Sequence, residues 1–313
     1  MTILDSIIQG IVQGLTEFLP VSSSGHLMIS QHILGVNENN LFFSVMLHLG
    51  TLIAVVAVYY KTLIELVRAF FEILKKFFTG KFSLKDLTKS QNMVIMLILG
   101  LVPLFLMFVP VPGSGTNVKG VAQELAGDKN IFIVGIALIV TSVLLKMGIN
   151  AQNRIRVRSK LTPQNEIWEG RTNFTILDAL FVGITQFIAA VFPGVSRSGS
   201  TLSTGLIRGI NKQAALDYSF ILGIPAIVAA AVLETKEAVE VNAIHFNELP
   251  VVIVGMLVAA VVGFLSIKLF KWLLKTDKMM VFVIYTFVVG VIVSVIGIIE
   301  YINGVNIFTG AAL

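Results

Sequence analysis

The sequence predicts an all-α polytopic membrane protein with about six spanning helices and two re-entrant broken-helix segments related as an inverted-topology repeat. Three observations carry this. Only 13% of the 313 residues are charged and 56% are hydrophobic, about half the charged share of a soluble domain, so the main solvent must be lipid. Six apolar stretches, at 41–60, 93–112, 131–147, 213–234, 249–272 and 280–302, are each close to the roughly 20 residues that cross a bilayer. Two further apolar regions, 1–35 and 174–208, are interrupted near the middle by Pro, Gly and Ser. The chain reads as one integral membrane domain, 1–313, with halves at about 1–147 and 174–313.

The first region carries no Lys or Arg before Lys61. A cleaved secretory signal needs a basic start, so this stretch is expected to remain on the chain. After the 41–60 span, residues 62–78 alternate apolar and charged groups at helical spacing, which predicts an amphipathic helix lying on the membrane surface. Basic residues assign the sides. The 61–92 loop carries seven, from Lys61 to Lys89, and the 146–173 loop six, from Lys146 to Arg171, so both are expected in the cytoplasm. The 113–130 loop has only Lys119 and Lys129, and the 235–249 loop only Lys236, so both are expected outside. The turn with Lys271, Lys275 and Lys278 is inside again.

Parity then makes residues 174–212 enter the membrane and return to the cytoplasmic side, while 1–40 enters from outside and returns there. An internal repeat supports this. Residues 10–27 read GIVQGLTEFLPVSSSGHL and residues 183–202 read GITQFIAAVFPGVSRSGSTL. Gly10, Gln13 and Pro20 match Gly183, Gln186 and Pro193; after a one-residue insertion, Ser22, Ser24 and Gly25 match Ser196, Ser198 and Gly199. An inverted pair of broken helices places its polar loops near the midplane, facing each other, where irregular backbone is tolerated only inside protein or beside a wet cavity.

The absence of cysteine excludes disulfides, thiolate metal sites and cysteine nucleophiles. The net charge of +5 does not point to nucleic acid, because the basic residues sit in short loops where they orient the chain. The chemistry concentrates in the two loops. Ser-Gly turns suit a phosphate: Gly lets the backbone approach the ligand, and Ser caps a helix whose free N–H groups attract an anion. The candidate phosphate-binding residues are Ser22, Ser24 and Gly25 in the first loop, and Ser196, Arg197, Ser198, Gly199 and Thr201 in the second. Arg197 adds a planar donor fork. Glu17 and Arg197 lie in apolar surroundings, where an ionised group is usually functional; the alternative is a purely structural ion pair. His26, beside the first turn, is a candidate for nucleophile, acid or base. His48 could line the same cavity, whereas His32 and His245 read as loop or helix-end residues, and Asp178 and Asp217 as structural partners. Gln13 and Glu17 share a helix face and offer oxygens to a hard cation such as Mg²⁺ or Ca²⁺; a plain helix hydrogen bond is the alternative.

QGLTEFLPVSSSGH resembles the (E/Q)xxxE segment and SS(T/S)GH turn of the undecaprenyl-diphosphatase family, also called BacA or UppP, and PGVSRSGST resembles that family's PGxSRSGxT segment. The resemblance covers most of the chain in order and spacing. It implies a multi-pass protein of the cell membrane that hydrolyses a polyprenyl (undecaprenyl) diphosphate to the monophosphate and inorganic phosphate, recycling the lipid carrier of cell-wall or glycan synthesis. It implies a divalent cation, a site facing outside, and bacitracin tolerance when abundant. It carries over Glu17, His26, Ser23 and Arg197 as the core of the site, supported by Gln13, Ser196, Ser198 and Thr201.

Many members have a second Glu where this chain has Gln13, and the loops at 113–130 and 148–173 are longer than usual. The nucleophile, Ser23, His26 or water, stays open, as does the number of copies, a homodimer included. Two rival readings stand beside the phosphatase. SSSGH and SRSG are similar to elements of type 2 phosphatidic acid phosphatases, although no lysine-arginine-proline segment lies upstream and no His follows Arg197 within ten residues. Inverted broken helices are also transporter architecture, which fits a polyprenyl-phosphate flippase.

Overall fold

The structure, a computed structural model, describes residues 2–35, 41–83, 86–126, 131–160, 170–240 and 248–312; Lys85, Lys129 and His245 lie outside them. Every regular element among the described residues is helical, and six helices are long and apolar enough to cross a membrane. The first broken segment is helix α1 (Ile3–Phe18) followed by α2 (Ser23–Leu34). The second is α7 (Ile176–Val191) followed by α8 (Arg197–Ile207). At 16 residues, α1 and α7 each rise roughly 24 Å, short of the ~30 Å hydrocarbon layer.

The breaks follow from proline. Leu19 and Phe192, the residues before Pro20 and Pro193, adopt extended backbone with ψ of 144° and 102°, as the proline ring disfavours the helical region for its predecessor. The beginnings also match. Thr2 and Asp5 form a capping box on α1, and Thr175 and Asp178 form the same box on α7. The repeat thus starts earlier than Gly10 and Gly183, with the identical stretches Thr2-Ile3-Leu4-Asp5 and Thr175-Ile176-Leu177-Asp178.

The spanning helices are α3 (Leu41–Phe78), α4 (Lys89–Leu101) with a following 3-10 helix (Val102–Phe108), α6 (Phe132–Lys160), α9 (Lys212–Glu240), α10 (Leu249–Lys275) and α11 (Met280–Asn303). Their contacts recur in exchanged form: α1 lies along α10 while α7 lies along α4, and α3 meets α9 as α6 meets α11. Glycine permits the closest approaches. A Cβ on Gly14 of α1 would stand 2.9 Å from the Ala259 carbonyl and the Gly263 nitrogen of α10; a Cβ on Gly183 of α7 would strike the Gly100 carbonyl of α4. Outside this core the surface is apolar. Leu257, Val261 and Leu265 on α10, and Ile284, Val288 and Val295 on α11, are all exposed. Such stripes would be a liability in water and are the surface that lipid covers.

Three expectations need correction. Residues 62–78 are not a separate surface helix: α3 continues unbroken for 38 residues, roughly 57 Å. Its lower part pairs with the start of α4, where Gln91 donates to Glu72 (2.9 Å) and accepts from Lys76 (3.1 Å), so its polar groups serve a helical hairpin. The 93–112 span is not one helix, because α4 ends at Leu101 and Pro103 opens the 3-10 stretch. Of the two long loops, the first folds into a short helix, α5 (Val118–Ala126), and the second is partly a continuation of α6 to Lys160.

Gly14→Leu should force α1 off α10. Overpacking costs about 1–3 kcal/mol, so the thermal midpoint in detergent is expected to fall by on the order of 5 °C, while the lipid-facing Val261→Leu leaves it unchanged.

Candidate active site

The two prolines aim the polar loops at each other. Ser22 caps α2 by accepting from the Gly25 nitrogen (3.2 Å), and Ser196 caps α8 by accepting from the Gly199 nitrogen (3.0 Å). Each loop then bonds to the other. The Gly194 nitrogen donates to Ser24 Oγ (3.4 Å), and Ser198 Oγ donates to the Leu19 carbonyl (3.3 Å). Gly194 sits at φ +90°, a conformation that favours Gly. Ser22 is held at φ 75°, which costs a non-glycine residue of order 1–3 kcal/mol and persists only where the surroundings impose it.

Glu17, in the last turn of α1, is the hub. Its Oε1 accepts from Arg197 Nη2 at 2.8 Å. Its Oε2 accepts from Ser23 Oγ at 2.6 Å and from Gln13 Nε2 at 3.1 Å, and His48 Nε2 stands 4.0 Å from the same oxygen. Four elements, α1, α2, α3 and α8, thus converge on one carboxylate that is 6% exposed. Arg197 is the first residue of α8, and its guanidinium rests against Gly223 of α9, where a Cβ would collide with it. Nη2 is spent on Glu17, whereas the buried Nη1 has no hydrogen-bond partner among the described residues.

These groups line one end of a cavity of about 510 Å³, together with Ser22, Ser23, Ser24, Ser196 and Ser198. The N-termini of α2 and α8 meet at this end, so unpaired backbone N–H groups and both positive dipole ends favour an anion here. The side wall is apolar, formed by Leu104, Met107 and Phe108 of the 3-10 helix and Ile227 of α9. Lys119 and Gln123 of α5 and Glu234 of α9 also line the cavity. Lys119 and Gln123 both bond to Glu237, at 2.9 Å and 3.1 Å. This gives α5, in the first of the two long loops, a place on the cavity wall.

The structure brings Glu17, Ser23, Arg197 and the Ser22, Ser24, Ser196 and Ser198 hydroxyls together, with the Gly25 and Gly199 nitrogens in the two caps. Two expected residues stand elsewhere, and a third presents the other end of its amide. His26 bonds through Nδ1 to the Ser22 carbonyl and through Nε2 to the Tyr285 hydroxyl, both at 2.8 Å, and its ring stacks on Tyr285. The carbonyl one turn back rotates the imidazole toward α11 and away from Glu17, so the expected pairing of His26 with Glu17 has no geometry here. His48 is the histidine on the cavity; Nδ1 bonds to the Ser44 carbonyl at 2.8 Å, which leaves Nε2 facing Glu17. Thr201 bonds to the Arg197 carbonyl (2.8 Å) and to Ser219, deep in the bundle and off the cavity wall. Gln13 turns its amide nitrogen, not its oxygen, to Glu17.

Asp178 and Asp217 have structural partners. Asp178 takes Arg171 (3.0 Å) and Arg208 (2.8 Å), and Asp217 takes Tyr59 (2.6 Å). His32 pairs with the buried Glu300 at 2.9 Å. Sequence reasoning missed Gln186, Lys119 and Glu234 as cavity residues. For Gln186 the signal was present, in its match to Gln13; for the other two it was not.

The sequence pattern of the family described as bacitracin resistance protein BacA matches residues 6–292. Similar proteins include an undecaprenyl-diphosphatase of Alkaliphilus metalliredigens, 35% identical over 94% of this chain and 98% of the relative. Others are undecaprenyl-diphosphatases of Methanosphaera stadtmanae (33% identical, 96% and 99% covered) and Carboxydothermus hydrogenoformans (34%, 95% and 98%).

Removing one partner of a buried ion pair strands the other and costs about 3–5 kcal/mol, while removing both costs far less. Glu17→Ala and Arg197→Ala are each expected to lower stability in detergent markedly, and the double variant to lower it by less than their sum. Additive losses in a double-mutant cycle would show that the pair carries no coupling.

Proposed function

The chain belongs to the bacitracin resistance protein BacA family, and on that premise we propose that the Ser-Gly cavity is where it cuts undecaprenyl diphosphate. The chain is an undecaprenyl-diphosphate phosphatase, releasing the monophosphate and inorganic phosphate. It is a multi-pass membrane protein, and its family name ties it to bacitracin resistance. The observation that carries the site assignment is the Ser23–Glu17–Arg197 array at an anion-seeking pair of helix N-termini.

In this reading the terminal phosphate sits between the loops, held by Arg197 Nη1, the Ser196 and Ser198 hydroxyls and the α8 N-terminus. Together these donors stabilise charge on the phosphoryl oxygens in the transition state. The incoming phosphate competes with Glu17 for the guanidinium. Glu17 is then free to take the proton of Ser23, already bonded to it at 2.6 Å. Ser23 Oγ attacks the terminal phosphorus, the bond to the bridging oxygen breaks, and the lipid monophosphate leaves. Water then releases inorganic phosphate from Ser23. His26, turned to Tyr285, has no part in these steps.

A divalent cation, Mg²⁺ or Ca²⁺, belongs to the proposal within limits. Among the described residues no three His, Asp or Glu side chains converge on a common point, and Gln13 gives Glu17 a nitrogen. Glu17 is therefore the one anionic protein ligand, and substrate oxygens and water would fill the remaining places. Bound there, the ion would offset charge on the diphosphate.

The apolar wall suits the isoprenoid. Phe108 lines the cavity and is half exposed, and in this reading the tail leaves sideways into lipid past it. Lys119 and Gln123 line the cavity and belong to a loop poor in basic residues, which the charge rule puts outside. The membrane is then the cell membrane and the site faces outward.

Purified protein should release phosphate from farnesyl diphosphate in detergent with Mg²⁺. Glu17→Ala, Ser23→Ala and Arg197→Ala should each lose at least 100-fold in kcat/KM, of the size of one missing transition-state donor or more. Full activity in Ser23→Ala would make water the nucleophile. No release by the wild type, with normal lipid-phosphate movement in vesicles, would assign transport instead. Gly223→Ala adds one methyl against the Arg197 guanidinium; it should lower kcat/KM about 10-fold, since a misplaced catalytic donor costs rate steeply.

A further inference from the structure

The two halves share a glutamine but use it differently. Gln13 and Gln186 occupy the same place in the repeat, seven residues before the proline of each break. Gln13 gives its Nε2 to Glu17, four residues on, and only its Oε1 lacks a partner among the described residues. The position four residues after Gln186 is Ala190, which has nothing to receive a hydrogen bond. Gln186 is 1% exposed, and neither Nε2 nor Oε1 has a hydrogen-bond partner among the described residues. Its side chain lines the cavity beside Ala189, Ala190, Pro193 and Arg197.

A buried carboxamide with both ends unpaired destabilises a fold, more so where lipid replaces water around it. The cost is met when a ligand completes its bonds. Arg197, which lines the same cavity, has Nη1 unpaired in the same way among the described residues, so two residues of one cavity carry donors without acceptors. A phosphate offers acceptors only and a water offers donors; a carboxamide engages both at once. Glutamine is used in this manner in phosphoryl transfer, where it orients the attacking water.

We propose that Gln186 is a phosphate-contacting residue of the second half, its Nε2 donating to the terminal phosphate beside Arg197 Nη1 and its Oε1 holding a water against that phosphate. This rests on the phosphatase reading and deepens it: recognition of the terminal phosphate falls to the arginine half, through a side chain whose twin in the first half is committed to Glu17.

The test is Gln186→Met, an apolar side chain of the same length, with Gln186→Glu beside it. Three quantities are measured: kcat/KM on farnesyl diphosphate, the inorganic phosphate concentration that half-protects the protein against thermal unfolding, and the thermal midpoint without phosphate. Gln186→Met should lose 30-fold or more in kcat/KM and need at least 10-fold more phosphate, while its midpoint stays level or rises because an unpaired buried amide is gone. Gln186→Glu should weaken phosphate protection further by placing like charge against the anion. Phosphate protection and kcat/KM within twofold of wild type in Gln186→Met would overturn the proposal. So would a fall in its midpoint in step with activity, which marks a packing role. A wild type that releases no phosphate in the same assay would instead bring down the phosphatase reading, a result separable from the behaviour of the variants.

Discussion

The fold depends on one ion pair in a place where lone charges are not tolerated. Glu17 and Arg197 belong to different broken helices and meet at 2.8 Å in the interior of an apolar bundle. Their side chains are only 5% and 21% exposed, so in these apolar surroundings each charge requires the other. Their distance sets what the rest of the chain must do. The prolines must stop α1 and α7 midway, the Ser caps must start α2 and α8 beside each other, and Gly223 must leave room for the guanidinium. The glycine contacts of α1 on α10 and of α7 on α4 then hold the two breaks at the same depth. The pair exists only where the halves join, so neither half holds a site alone.

The scaffold is nearly symmetric while its chemistry is not. Both halves begin with the same capping box, break at a proline and restart on a serine cap. Then they diverge. The first half carries the carboxylate and its hydroxyl partner, Glu17 and Ser23; the second carries the cation, Arg197, and has Ala190 where the first has Glu17. The first loop is also one residue shorter between proline and cap, and it is the loop whose cap, Ser22, is held at positive φ. The shorter path leaves that backbone less freedom, and it delivers Ser23 to Oε2 of Glu17 at 2.6 Å. Strain and function coincide at that turn.

Much of this was legible in the sequence because a bilayer restricts what a chain can do. The six spans, the two interruptions and the company of Glu17, Ser23 and Arg197 follow from hydropathy, proline position and the repeat. The remainder depends on rotation and depth, which spacing does not encode. His26 lies three residues from Ser23, yet the Ser22 carbonyl turns its ring to Tyr285; His48, on another helix, reaches Glu17 instead. The alternating charges of 62–78 read as a lipid-surface helix, because the partner that satisfies them, Gln91, is brought there only by the hairpin. Lys119 and Glu234 carry no pattern of their own; they meet through tertiary packing alone.

The shape of the cavity also bears on how such a reaction finishes. Its two products differ in where they are soluble, one a lipid and one a small anion. A pocket open only to water would hold the lipid monophosphate, and one open only to lipid would trap the phosphate. Here one cavity is lined both by apolar groups, the half-exposed Phe108 among them, and by polar ones, Lys119 and Glu234. Lys119 is paired with Glu237, so its charge is largely offset and it adds no second strong anion site. On the proposed reading Arg197 would be the strongest anion-binding group, and Glu17, its partner at 2.8 Å, would compete with the product for it. The charge balance that makes the fold possible would then also help to release the phosphate.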